Sequence, residues 1–249
     1  MRRRCFGTLA WLAALTVLPA LALGQSVGLA IEGGPSLAPA TRKALIGALA
    51  EEHCEARLVT PSEAPELTFR NVSWHEAQPL LVALNRDDEL PTPVWVTRRP
   101  LGLDRLTQLA DRDLAVLRKD DPVGSHAPLQ RLRAAGVAWR EDQLFRAGSF
   151  SAALGLLLHN NVQAAASEAS LLKPLAGRNA LSVVDAGPAL PVGAWFGAAD
   201  NANEAVSACL KALTLLDREL QPRAFKAFPE WVRRFVPTHQ APSYTPLQE

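Results

Sequence analysis

Residues 94–166 read VWVTRRPLGLDRLTQLADRDLAVLRKDDPVGSHAPLQRLRAAGVAWREDQLFRAGSFSAALGLLLHNNVQAAA. Short apolar or β-branched runs at 94–96, 114–117, 143–146 and 162–166 alternate with segments whose leucines recur every three or four residues. That alternation predicts an α/β unit of parallel strands joined by crossover helices. Two of the helices open on small polar residues, Ser125 after Pro122-Val123-Gly124 and Ser149 after Gly148, both with N-cap chemistry. In an open α/β sheet such helix starts lie beyond the carboxyl ends of the strands, and their free N–H groups favour an anion.

Around this stretch the composition is that of a globular protein: 249 residues, 48% apolar, enough for one large or two small domains. Residues 1–24 stand apart. Arg2, Arg3 and Arg4 precede an apolar run broken at Pro19, and Ala22-Leu23-Gly24 supplies small residues for cleavage before Gln25. The form is that of a secretory signal peptide, with an uncleaved anchor as the rival reading. Cleavage removes three of the 26 basic side chains, leaving 23 against 25 acidic ones, a net charge of −2. Such a balance lacks the positive footprint of a nucleic-acid binder. Cys54 and Cys209 then remain; in an oxidising compartment they either form a disulfide or stay as two buried thiols.

In chain order, residues 26–31 read as a strand, followed by the turn Gly33-Gly34-Pro35-Ser36 and a helix over 37–53 with Leu37, Thr41, Leu45 and Leu49 on one face. Residues 56–60 predict a second strand and 61–66 a loop. Residues 67–74 predict a strand with a break near Asn71, and 75–86 a helix burying Leu80, Leu81 and Leu84. Beyond the opening stretch, 168–175 reads as helix, 181–184 as strand and 187–192 as a proline-punctuated crossing ending at Trp195-Phe196. Residues 203–216 form an amphipathic helix after a polar Asp200-Asn201 cap region. Phe225, Phe228, Trp231, Val232 and Phe235 follow at helical spacing, as core or a docking helix.

Catalytic and metal motifs are absent: there is no GxGxxG, Walker lysine, HExxH, CxxC or nucleophile elbow, and no Ser-His-Asp set. His53 beside Cys54 lacks a second ligand pair for a metal. Trp74-His75-Glu76 has the types of an acid/base pair, but a His beside a Glu at a strand end reads first as a hydrogen-bonded surface pair. The reading is of a protein that is not an enzyme and takes no cofactor or metal.

The order of segments TRRPLGLDRLTQLADRDLAVLRKDDPVGSHAPLQRLRAAGV, AGSFSAALGLLLHNNVQAAASEASLL and GPALPVGAWFGA resembles the phosphate/phosphite/phosphonate class of periplasmic substrate-binding proteins of ABC transporters. The likeness is close over 94–216 and loose over 26–84. It implies a type II periplasmic-binding-protein-like α/β fold: two lobes, each with a mostly parallel sheet flanked by helices, joined by two crossover segments. Lobe one would comprise 25–93 plus 188–236, lobe two 94–187, and 237–249 a flexible tail. A helix and strand usual in the family between Thr60 and Trp74 are missing, so lobe one is shortened.

Carried over residue by residue, the family's ligand site falls on Gly124, Ser125 and His126, on Ser149 and Phe150, and on Gln163; Trp74 and His75 join them as ligand candidates on their own residue types, not by the resemblance. Phe150 stands where the family has a ligand-reaching His, and Gln163 where it has an acidic residue. Asp120 and Asp121 stand just ahead of the first helix start. Two unit charges 4 Å apart repel by about 4 kcal/mol at a protein surface, more than the roughly 0.3 to 2 kcal/mol a helix dipole offers. The implied function is a monomeric periplasmic solute-binding protein that delivers a small anion to an ABC permease, with no nucleic-acid partner and no membrane insertion once the signal is cleaved. The departures fit a second reading, a degenerate binding-protein-like domain serving as sensor or accessory partner of a periplasmic enzyme or redox system.

Overall fold

The computed structural model describes residues 26–32, 37–74, 77–197 and 203–243. The expected signal segment, the Gly33–Ser36 turn, His75, Glu76 and the Asp200-Asn201 cap region lie outside the described residues. Two sheets organise the chain. The first has the order β11-β4-β10-β3-β1-β2 and the second β7-β6-β8-β5-β9, where β1 is Val27–Glu32, β2 Ala56–Leu58, β3 Leu67–Ser73, β4 Leu81–Leu84, β5 Pro93–Arg98, β6 Leu114–Val116, β7 Leu144–Arg146, β8 Ala164–Glu168, β9 Leu181–Ala186, β10 Val192–Gly197 and β11 Arg234–Pro237. The fold is mixed α/β, with two sheets flanked by helices.

In the first sheet β1, β2, β3 and β4 run one way, with β10 and β11 against them. In the second, β6, β7, β8 and β9 run together and β5 opposes them. The predicted parallel set is therefore corrected at its first member, since 94–96 is antiparallel to β8. The cause is connectivity: β5 brings the chain in from the first sheet and β9 leads it out, side by side. The two crossings are bonded together, Gly187 N donating to Pro93 O at 2.8 Å and Leu190 N to Pro91 O at 2.9 Å.

Helix α1 (Pro39–Glu51) buries Thr41, Leu45, Ala48 and Leu49, the face expected from the leucine spacing. Helix α5 (Glu204–Leu215) is capped by Asn203, whose side chain accepts from Val206 N, and buries Val206, Cys209, Ala212 and Leu213. Cys209 is joined to Cys54 by a disulfide spanning 155 residues. Of the two readings left open for these cysteines, the structure holds the bridge.

Two expected helices are strands or turns. Within 75–86 the described chain forms β4, whose four residues are all buried. Leu81 and Ala83 belong to one apolar cluster and Val82 and Leu84 to another, on opposite faces of the sheet. A run buried on both sides has no polar face from which a period can be read. The aromatic tail is a 3-10 turn at Ala224–Ala227 followed by β11. Phe225, Phe228 and Phe235 meet Phe69 and Trp195 in one core, with Phe228 5.0 Å from Phe235 and 5.1 Å from Phe69, both edge-on. The break expected near Asn71 is a bulge, because the pairing of β3 with β10 slips one residue between Arg70 and Ser73. Opposite it Gly193 has φ +74°, and a Cβ there would lie 2.7 Å from the Trp231 ring.

Candidate functional site

Taking the first sheet with α1 and α5 as the first half of the molecule and the second sheet with the helices between its strands as the second, three helices of the second half begin beyond the carboxyl ends of β6, β7 and β8, and each start touches the first half. The chain leaving β6 makes one π-type turn, Pro122–His126, before α2 (Ala127–Ala134). Asp121, not Ser125, caps it: one carboxylate oxygen accepts from Gly124 N at 2.7 Å and Val123 N at 3.1 Å. The Asp121 carbonyl takes Ser125 N and His126 N. Burial pushes the Asp121 carboxyl above its usual range, against the pull of the Gly124 and Val123 amides. Asp121 followed by Pro122 is itself a helix-start signature, a capping acid before Pro at the first helical position. Read only as a charge that repels a ligand, it conceals that role. The turn packs against β3. Ser125 Oγ in the turn and Asn71 Oδ1 in β3 are both buried without a hydrogen-bond partner among the described residues.

The second start is that of α3 (Phe150–Leu158). Ser149 caps it, its hydroxyl accepting from Ala152 N at 3.1 Å, as its position after Gly148 predicts. The next amide, Ser151 N, donates to the carboxylate of Glu230 at 3.0 Å, from 79 residues away in the first half. Beside this contact is a cavity of about 320 Å³. Arg86, Arg218 and Glu230 line it from the first half, and Phe150, Leu154 and Leu171 from the second.

The third start is that of α4 (Ala169–Ala176), capped by Glu168, a carboxylate with no exposure to solvent. One oxygen accepts from Ser170 Oγ at 2.5 Å, Ser170 N at 2.9 Å and Leu171 N at 3.3 Å. The other accepts from Asn85 Nδ2 at 2.9 Å and from Thr92 N at 3.2 Å. Glu168 thus binds the end of β4, the first crossing and the second half into one node.

Among the residues expected to hold a ligand, Gly124, Ser125, Ser149 and Phe150 do lie at one end of the second sheet. Gly124 and Ser125 are buried, Phe150 is 1% exposed, and His126 is exposed beside them. Gln163 lies at the opposite end, ahead of β8, where its side chain accepts from Asp113 N at 2.9 Å. Trp74 packs with Val82, Leu84 and Ala194 on the other face of the first sheet, away from its main core. Residues that sequence reasoning missed are Asp121, Glu168, Glu230, Arg86 and Arg218. Glu230 and the two arginines leave no local signal, because what matters is a contact across 79 residues or a shared cavity.

A family model for the periplasmic phosphonate substrate-binding protein of ABC transporters matches residues 37–242. Among solved structures, the chain is similar to PhnD1 of Prochlorococcus marinus in complex with methylphosphonate, with a TM-score of 0.58 at 13% identity, covering 86% of this chain and 92% of that one. It is similar to a binding protein of a phosphonate ABC transporter from Pseudomonas aeruginosa, with a TM-score of 0.55 at 8% identity, covering 86% and 81%. A Xanthomonas citri protein solved with chloride gives 0.57 at 13% identity over 85% and 91%. No curated protein matches. These structures share the two-sheet fold, and no helix among the described residues is long and apolar enough to cross a membrane. With the match running from just ahead of α1 to beyond β11, the chain belongs to the periplasmic phosphonate substrate-binding family of ABC transporters.

Proposed function

We propose that the protein is a periplasmic solute-binding protein for a small, phosphonate-like anion, which it hands to an ABC permease. The lobes in this reading are 25–93 plus 188–236 and 94–187, with a signal peptide at 1–24. The observation that carries the reading is at the helix starts. Asp121, Glu230 and Glu168 each place a carboxylate on amides that begin a helix, all at the end of the second sheet that meets the first half. Amides so arranged select oxyanions. Glu230 is the carboxylate of the three that comes from another part of the fold and is only half-buried, so it is the one a ligand displaces.

Thermal unfolding with phosphate, phosphite, methylphosphonate and sulfate at millimolar concentration tests the reading. A ligand at a hundred times its Kd adds about 2.7 kcal/mol to the folded state, so at least one of these anions raises the Tm by several degrees. If none does, the chain is not a solute-binding protein for such anions.

A further inference from the structure

The cavity of about 320 Å³ between the halves has a lining that a bare oxyanion does not use. Its polar side holds Arg86 and Arg218. The Arg218 guanidinium is fixed, donating to Pro229 O at 2.6 Å and to Val232 O, and lying over the Phe225 ring at 5.3 Å. Arg86 is exposed, and its guanidinium has no ion-pair partner among the described residues. Glu230 is the one acidic residue among the described residues lining the cavity, and it is bonded to the Ser151 amide rather than to either arginine. Two guanidiniums against one carboxylate leave an excess positive charge. Burial draws the Arg218 pKa down to about 10, with the nearby Arg86 charge adding to the drop and Glu230 opposing it. The facing side is apolar, formed by Phe150, Leu154 and Leu171 from α3 and α4. The volume equals on the order of 10 waters, at the small end of ligand pockets.

We propose that this cavity seats a small amphiphilic anion, its oxyanion head on Arg86 and Arg218 and a short unbranched apolar arm against Phe150, Leu154 and Leu171. On entry a head-group oxygen takes the Ser151 amide from Glu230. The proposal rests on the solute-binding reading above and puts the seat on the α3–α4 flank, not at the Gly124–Ser125 turn.

Isothermal titration with methylphosphonate, butylphosphonate and hexylphosphonate tests it, on the wild type, Arg86→Gln and Glu230→Gln. Burial of a methylene is expected to tighten binding about 4-fold, so butylphosphonate binds on the order of 50-fold tighter than methylphosphonate. Arg86→Gln, at an exposed position, weakens butylphosphonate about 10-fold. Glu230→Gln strengthens it, because the internal competitor for the Ser151 amide loses its charge. Equal affinity for methyl- and butylphosphonate, with no effect of Arg86→Gln, overturns the seat while leaving the solute-binding function standing. Failure of all three phosphonates to bind at millimolar concentration overturns the seat, and if phosphate, phosphite and sulfate also leave the Tm unchanged the solute-binding reading falls with it.

Discussion

The two halves of the molecule are held by different means. The first has ring on ring, each of Phe69, Trp195, Phe225, Phe228 and Phe235 having its centroid within 6.0 Å of at least two others, and a disulfide fastening α5 to the chain after α1. The second has small side chains at its centre, Ala164, Ala165 and Ala166, and places both fully capping buried carboxylates, Asp121 and Glu168, at its helix starts. Apolar contact is tolerant of direction, whereas a buried carboxylate is stable only with its donors in place. The difference teaches where each half is vulnerable: the first to loss of covalent or packed mass, the second to loss of an acceptor or a change of proton.

Breaking the bridge gives the largest effect. Closing a loop of 155 residues removes chain entropy worth about 5 kcal/mol from the unfolded state. Paired Cys54→Ser and Cys209→Ser replacements should lower stability by about that amount in urea unfolding. Hydrogen exchange should quicken first around α1 and α5. Equal quickening throughout 93–186 would mean that the halves do not differ in this way.

Glu168→Ala comes next, at about 4 kcal/mol, because the donors from Ser170, Leu171, Asn85 and Thr92 lose their acceptor together. Denaturant titration measures it, and a loss under 1 kcal/mol would show that the node does not hold the crossing.

The smallest effect is the most specific. Burial raises the folded-state pKa of Asp121 above its ordinary 3.8. The native state therefore holds that proton more tightly than the unfolded chain, and the stabilisation it brings is full below pH 3.8 and lost as pH rises through the raised value. Asp121→Asn keeps an oxygen for the Gly124 and Val123 amides but cannot titrate. At pH 7 it should lie within about 1 kcal/mol of the wild type, and the wild type should gain on it as pH falls toward 4. Unfolding curves across pH 4 to 8 decide the matter; a gap moving the other way would contradict a buried, desolvated Asp121.

How much of this was open to sequence reading follows the same division. The helices α1, α3 and α5 were legible because each has one buried and one exposed side, so Leu45 and Leu49, or Val206 and Leu213, recur at the right interval. β4 was not, because both of its faces are buried. The aromatic tail misled for a related reason: Phe225, Phe228 and Phe235 have helical spacing, yet they reach one core from a turn and a strand. At the site, Ser149 was legible from the Gly-Ser pair before an apolar run. Glu230 and Arg218 were not, since nothing near them in the chain announces a partner in α3 or a shared cavity.

The bridge between Cys54 and Cys209 has one more consequence. Every strand of the second sheet, from Pro93 to Ala186, lies inside the covalent ring it closes. Tension applied to the chain outside the ring passes through the sulfurs and bypasses the enclosed half, which stays slack while the outer segments extend. Once the ring is shut, that half has to fold as a captive loop with both its ends already held.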